Sequence, residues 1–387
     1  MVNIIKRIKY ICIFIIILIF ISCGCDRKSV ETETVSVASE PQNEIAETIS
    51  IMALGDNLLH MPVVNSGKKP NGRYSYSHIF KELQPDIRNA DMAVIGQETV
   101  FGGSEFGYSG YPLFNSPSDV GVSLVKEGFD VVLHASNHVL DKWAEGIENT
   151  LEFWKDYPSV TVLGINESVE AQNTVHIENV KGADIALLNY TYGANGFQPP
   201  AGKEYLVNFI NEDKIRSDAE YAENNADFTI AFMHWGTEYS MVPDSFQKSL
   251  AKKMCEWGID LVIGSHPHVI EPAEWIESEN GNKMFVYYSL GNFVSRQLEA
   301  KNLLGGIADV KLFFNGKNVT IEECSFIPIV THYDRTYTKF TVYPLSEYND
   351  ELALEHGVAP HNGAVSVQRW TDILNSVFEG YDKSIIK

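Results

Sequence analysis

The chain has 387 residues, 44% of them hydrophobic, enough for one large α/β domain with a tail or for two modest domains. Its formal net charge of −21 excludes general attraction to nucleic acid, and a bulk polyanion would be repelled unless metal ions reversed the sign locally. Of the five cysteines only Cys255 and Cys324 lie beyond the N-terminal segment, so a disulfide scaffold is not the stabilising strategy, although one bridge between them stays open.

Lys6, Arg7 and Lys9 precede an apolar stretch, Tyr10–Ile21, broken only by Cys12 and followed by Ser22-Cys23-Gly24. Residues 1–22 therefore read as a secretory signal peptide or, alternatively, an uncleaved membrane anchor. The small residue before Cys23 resembles a bacterial lipobox, in which Cys23 becomes the lipidated N-terminus; Phe20 departs from the leucine usual there. Either route puts the body outside the cytoplasm, anchored to a bacterial cell membrane. Residues 23–48, polar and poor in large apolar side chains, read as a tether.

Short apolar runs then follow in order, each closed by glycine or a polar residue. Ile51–Leu54 ends in Gly55-Asp56, and Ala93–Ile95 in Gly96-Gln97-Glu98. Val131–Leu133 leads through His134 to Asn137-His138, with Asp141 after it. Thr229–Met233 ends in His234-Trp235-Gly236, with Glu238 beyond; Leu261–Gly264 leads to His266 and His268; Phe285–Leu290 ends in Gly291-Asn292. Their length and their β-branched or aromatic content predict buried strands. Alternation along an extended segment would turn His266 and His268 to one side. Asp, Glu, Asn and His thus gather at one end of several strands, where α/β folds build sites, and they predict one convergent metal centre.

GD, SNHVLD, HWGTEY, GSHPHV and YSLGNF, in this order over roughly 50–297, resemble the CapA-type poly-γ-glutamate capsule biosynthesis proteins. That family is a branch of the calcineurin-like metallophosphatase fold. The resemblance implies an α/β fold, an αββα sandwich with mixed central sheets, over residues 49–328, with 329–387 as a C-terminal extension. Within the extension, 336–343 alternates like an edge strand, and Trp370–Phe378 has helical spacing. Two positions depart from the wider pattern: Leu58 stands where metallophosphatases carry a histidine, and Gly96 where the family carries an asparagine. His60 is out of register with the missing histidine.

The resemblance implies metal ligation by Asp56, Glu98, Asn137, His234, His266 and His268, with divalent manganese, zinc or iron as candidates. His138 would act as general acid or charge stabiliser, and Asp141 orients it, faces a helix N-terminus, or does both. Glu238, Asn292 and Arg296 are candidates for substrate contact or for support of the ligands, Arg296 as a clamp for a carboxylate or phosphate or as a plain surface residue. His134 is expected to be structural. An aromatic loop with Tyr108, Tyr111 and Phe114 either covers the site or packs on the surface. The helix expected over Ser245–Trp257 should bury Phe246, Leu250, Met254 and Trp257.

Two main functional readings follow, with a cell-wall-associated hydrolase acting on peptide cross-links as a weaker third. In the first, the protein acts in synthesis, release or export of poly-γ-glutamate or a similar anionic envelope polymer, through a hydrolase-type site that cleaves phosphoester or amide bonds. In the second, it is a non-catalytic, metal-stabilised component of a membrane synthase or export complex. The partners implied are the membrane, synthase or export subunits and the anionic polymer.

Overall fold

The computed structural model describes residues 46–358 and 365–387, all within one compact unit, Glu44–Lys387. The expected signal or anchor, Cys23 and most of the tether lie outside the described residues. No helix among the described residues is long and apolar enough to cross a membrane.

Two mixed sheets face each other. The first is built on β1 (Glu47–Asn57), β2 (Met92–Gly96), β3 (Val131–Leu133) and β4 (Thr161–Leu163), all parallel. On the other side of β1, the antiparallel β12 (Leu304–Phe314), β13 (Val319–Tyr333) and β14 (Phe340–Pro344) extend it. The short β11 (Asn292–Val294) pairs with the end of β1, setting Asn292 opposite Asp56. The second sheet runs β5 (His176–Val180), β6 (Ala183–Thr191), β7 (Phe228–His234), β8 (Leu261–Ser265), β10 (Lys283–Tyr287) and β9 (Ala273–Glu277). Its four central strands are parallel, and its two edges antiparallel.

The side-chain period of two decides what each face of the second sheet meets. Ile185, Leu187, Ile230, Phe232, Leu261, Ile263, Phe285 and Tyr287 face the first sheet and join the main core. Their neighbours Leu188, Ala231, Met233, Val262, Met284 and Val286 face outward. There they pack on the helices Glu212–Asn225 and Ser245–Glu256 through Ile215, Ala219, Leu250 and Met254. The outer face of the first sheet is covered by Ile79, Phe80, Ile87, Val120 and Leu124 from helices Ser77–Phe80, Gln84–Asn89 and Asp119–Glu127. Burying one such large apolar side chain contributes about 1.5–3 kcal/mol, so both strand faces must be apolar. The result is the expected αββα sandwich.

Three local expectations change. The tether was expected to run to residue 48, but Glu47 and Thr48 already pair with Phe314 and Phe313. The boundary expected after residue 328 falls inside β13, which crosses it without a break. Pro328 lies opposite Gly306, while β14 begins pairing only at Ile329; the missing amide donor thus falls where one side of the strand has no partner. The helix Val367–Val377 is tied to the domain by Trp370, whose indole N–H donates to the Ala300 carbonyl at 3.0 Å. Finally, Phe246 is 45% exposed rather than core, because Gln247 takes the inward place in the first turn of Ser245–Glu256, where it completes the capping box with Asp244 and donates to Glu271 Oε2 at 2.6 Å. Cys255 and Cys324 are both free thiols.

Candidate metal centre

The parallel strands of both sheets deliver their C-terminal ends to one place. β1 brings Asp56, β2 leads to Glu98, β3 leads to Asn137 and His138, β7 ends on His234, and β8 leads to His266 and His268. These seven residues and Asp141 are all buried, none more than 5% exposed. Two glycines allow the strands to approach. A Cβ on Gly55 would collide with the Gly291 carbonyl, which accepts the Asp56 N–H at 3.0 Å. A Cβ on Gly264 would collide with the Tyr288 carbonyl and stand 2.6 Å from Trp235 Nε1.

Ligand atoms of Asp56, Glu98 and His268 lie within 4.8 Å of one another. His268 Nε2 is 3.8 Å from Glu98 Oε1, and its Nδ1 is 3.8 Å from Asp56 Oδ2. His234 Nδ1 is 3.6 Å from Asp56 Oδ1, while its Nε2 meets Asn137 Oδ1 at 3.0 Å. His266 joins through its ring, 4.8 Å from that of His234, and its backbone N–H donates to Asp56 Oδ2 at 3.0 Å.

His266 and His268 do share one side, but not by strand alternation. β8 stops at Ser265, and both histidines take positive φ, 99° and 57°. Left-handed backbone at non-glycine residues is strained and persists where the surroundings demand it. Here the Asp56 carboxylate holding the His266 N–H, and Asn292 Oδ1 at 3.0 Å from His268 Nδ1, supply that demand.

The electrostatics fit a cation. Burial, then the charges of Asp56, Asp141 and Glu238, push Glu98 well above the usual carboxylate range. Burial pushes Asp56 up to about 7 against the hydrogen bonds from the His266 N–H and the Ser265 hydroxyl. Burial, followed by neighbouring imidazoles, brings His266 and His268 down to about 3 and His234 well below its ordinary value. The imidazoles are thus neutral lone-pair donors at physiological pH. Both oxygens of Glu98 and Nδ1 of His266 are buried without a hydrogen-bond partner. Orphaned buried donors and acceptors are rare and costly, and a divalent ion would satisfy this set.

His138 and Asp141 form a separate pair at the edge of the cluster. His138 Nδ1 lies 2.7 Å from Asp141 Oδ2, which also accepts the Phe114 N–H at 2.7 Å. The Phe114 ring packs edge-on against His138 with centroids 4.7 Å apart. The helix begins only at Trp143, so Asp141 serves His138 and the loop rather than the helix N-terminus. In the aromatic loop, Phe114 is buried beside His138, while Tyr111 is 78% exposed.

The remaining candidates separate. Glu238 is exposed and does not hold His234; Ser265 Oγ does, at 3.1 Å from Nδ1. Asn292 donates to Gln297 Oε1 and to the Asn302 carbonyl, both at 2.9 Å, and so pins the loop behind His268. Arg296 is half-buried, its guanidinium 4.6 Å from the Tyr337 ring and its Nε sealed without an acceptor. His134 accepts the Trp154 indole N–H at 2.9 Å and is structural. Ser136 donates to the Glu98 carbonyl at 2.8 Å. Asn195 contacts Asn137 and His138. Sequence reasoning missed Ser136, Ser265 and Asn195. The two serines stand inside the motifs already marked, so their signal was available; Asn195 carries none, because its loop is brought to the site only by the fold.

A family model described as "Bacterial capsule synthesis protein PGA_cap" matches residues 50–297. The capsule biosynthesis protein CapA of Bacillus anthracis is 26% identical over 326 residues, 80% of this chain and 76% of that protein. The PGA biosynthesis protein CapA of Bacillus subtilis (strain 168) is 30% identical over 272 residues, 65% of this chain and 67% of that protein. Among solved structures, a calcineurin-like phosphoesterase, YfkN from Bacillus subtilis, overlaps with a TM-score of 0.43 at 12% identity, covering 87% of this chain and 98% of that one. An overlap at that score carries no functional information. The matched span contains every residue of the buried cluster, and the chain belongs to the bacterial capsule synthesis protein family, PGA_cap.

Proposed function

We propose that this chain is a membrane-tethered, extracytoplasmic protein that acts in synthesis, release or export of poly-γ-glutamate or a similar envelope polymer, through a metal-dependent hydrolase-type site. The observation that carries the reading is the Glu98 carboxylate, buried with both oxygens unpartnered among neutral imidazoles, together with the buried His138–Asp141 imidazole–carboxylate pair. Asp56, Glu98, Asn137, His234, His266 and His268 are the residues that would hold the ion. A divalent ion of manganese, zinc or iron would supply Lewis acidity to the scissile phosphoester or amide.

The protein's own groups do the proton work. Asp141 accepts the Nδ1–H of His138, fixes its ring orientation and stabilises the imidazolium. Nε2 of His138 is then the atom that delivers a proton to the leaving group. The Phe114 N–H and ring keep both partners in place. The capsule names of the relatives support the polymer class, and the Ser22-Cys23 segment supports the tether. Membrane synthase or export subunits are the partners such a role needs.

The second reading, a non-catalytic assembly component, draws on Leu58 and Gly96, where two ligand-type side chains are absent. The His138–Asp141 pair weighs against it, because holding an ion does not require a proton donor. The test is turnover of γ-glutamyl oligomers and of aryl phosphoesters by the metal-loaded chain, with His138→Ala as control. Hydrolysis lost in the variant, with metal content unchanged, supports the catalytic reading. No hydrolysis of either class by a metal-loaded wild type favours the assembly component.

A further inference from the structure

The loop after β6 touches the site from the second sheet although none of its residues is in a ligand motif. The Tyr192 N–H donates to the His234 carbonyl at 3.0 Å, and the Tyr192 ring stands 4.5 Å from that of His266. Three residues on, Asn195 takes φ of 50°, left-handed backbone that asparagine tolerates better than most residues, and Gly196 follows with φ of 83°. The Phe197 N–H closes the turn on the Ala194 carbonyl at 2.8 Å. The turn projects the Asn195 amide onto Asn137, whose Nδ2 donates to Asn195 Oδ1 at 3.3 Å. Asn195 Nδ2 lies 3.5 Å from His138 Nδ1, whose proton is committed to Asp141.

The Asn137 amide has two ends of nearly equal shape, and only its oxygen can hold a cation. In the observed arrangement Oδ1 faces His234 Nε2 at 3.0 Å and Nδ2 faces the loop. Turned over, the amide would offer N–H groups to the cluster. His234 Nε2 on one side and an acceptor on the loop side distinguish the two orientations, and it is the loop acceptor that holds the Nδ2 end away from the cluster. We infer that Asn195 is a positioning residue that sets the Asn137 amide with its oxygen toward the cluster and thereby sets the affinity of the centre for a divalent ion. Tyr192 belongs to the same loop and places its ring 4.5 Å from that of His266. The inference rests on the metal-centre reading above.

The test is the Mn²⁺ affinity of the chelator-stripped full chain, by competition with a chromogenic chelator, for wild type, Asn195→Gly and Asn195→Asp. Glycine keeps the left-handed turn and removes the acceptor; aspartate keeps an acceptor oxygen in nearly the same place. Groups that orient a metal ligand typically change affinity by about 10–100-fold, and Asn195→Gly should weaken Mn²⁺ binding by that amount. Asn195→Asp should stay close to wild type, and both variants should melt with the wild type when metal is absent. Unchanged affinity in Asn195→Gly, or equal loss in both variants, overturns the inference. Should Asn195→Gly melt lower without metal, Asn195→Asp against Asn195→Ala decides in its place, equal affinities again overturning it. A wild type that binds no Mn²⁺, Zn²⁺ or Fe²⁺ overturns the metal-centre reading itself, a failure separable from that of Asn195.

Discussion

Glu98→Gln separates an ion site from an ordinary buried acid. Wild-type Glu98 is 2% exposed, its oxygens have no partner, and burial raises it well above the usual carboxylate range. Without metal, burial favours the neutral carboxyl, and a neutral amide of the same shape leaves a similar number of unpaired polar atoms. The metal-free variant should therefore match the wild type within about 1 kcal/mol. With metal the two diverge. Free ion at about 100 times Kd stabilises the folded state by about 2.7 kcal/mol. At roughly 2–4 °C per kcal/mol, taking the low end for a domain of this size, wild-type Tm should rise by about 5 °C. The amide cannot offer a second anionic oxygen beside Asp56, and its rise should be about 1 °C or less. The assay is scanning calorimetry of chelator-stripped protein with and without Mn²⁺. A Glu98→Gln protein that keeps the full metal-induced rise would refute the reasoning.

Three further outcomes test the surrounding structure. Gly264→Ala drives a methyl into the Tyr288 carbonyl and should cost about 1–3 kcal/mol in urea unfolding, because the packed strand can yield only by shifting. Ending the chain after residue 328 cuts β13 and removes β14 and the Trp370 anchor; the product should show no cooperative melt by circular dichroism. Glu271 gives the pH dependence: burial, opposed by the Gln247 hydrogen bond at 2.6 Å, raises it to about 8. The folded state then keeps a proton that the unfolded chain has lost, so stability falls as pH rises from the ordinary glutamate range through about 8. Glu271→Gln removes that dependence, and its advantage over wild type should grow by up to about 1.4 kcal/mol per pH unit and level off above the folded value. A constant difference across pH in denaturant midpoints would show that Glu271 does not titrate this way.

Much of the framework was legible because strand signals are local. Val131–Leu133 is a strand as read, and Asp56, Asn137 and His234 sit where apolar runs stop. The histidine pair was legible in composition but not in geometry: alternation put His266 and His268 together, whereas the fold does it with two left-handed residues held from β1 and β11. The C-terminal boundary was misread because the ligand motifs stop before it, whereas β13 runs on through Pro328, a proline tolerated where β14 is not alongside. Phe246 was misread because helical spacing does not show that the polar Gln247, drawn in by Glu271, takes the inward place instead. Asn195 stands 58 residues from Asn137 in a loop with no motif, and only the packing of one sheet on the other brings them together.

The most direct test of the metal centre is elemental analysis of the purified chain beside His266→Ala/His268→Ala. The account predicts a stoichiometric transition metal in the wild type that is lost from a still-folded double variant. A folded wild type that carries no metal and takes up neither Mn²⁺ nor Zn²⁺ would contradict it.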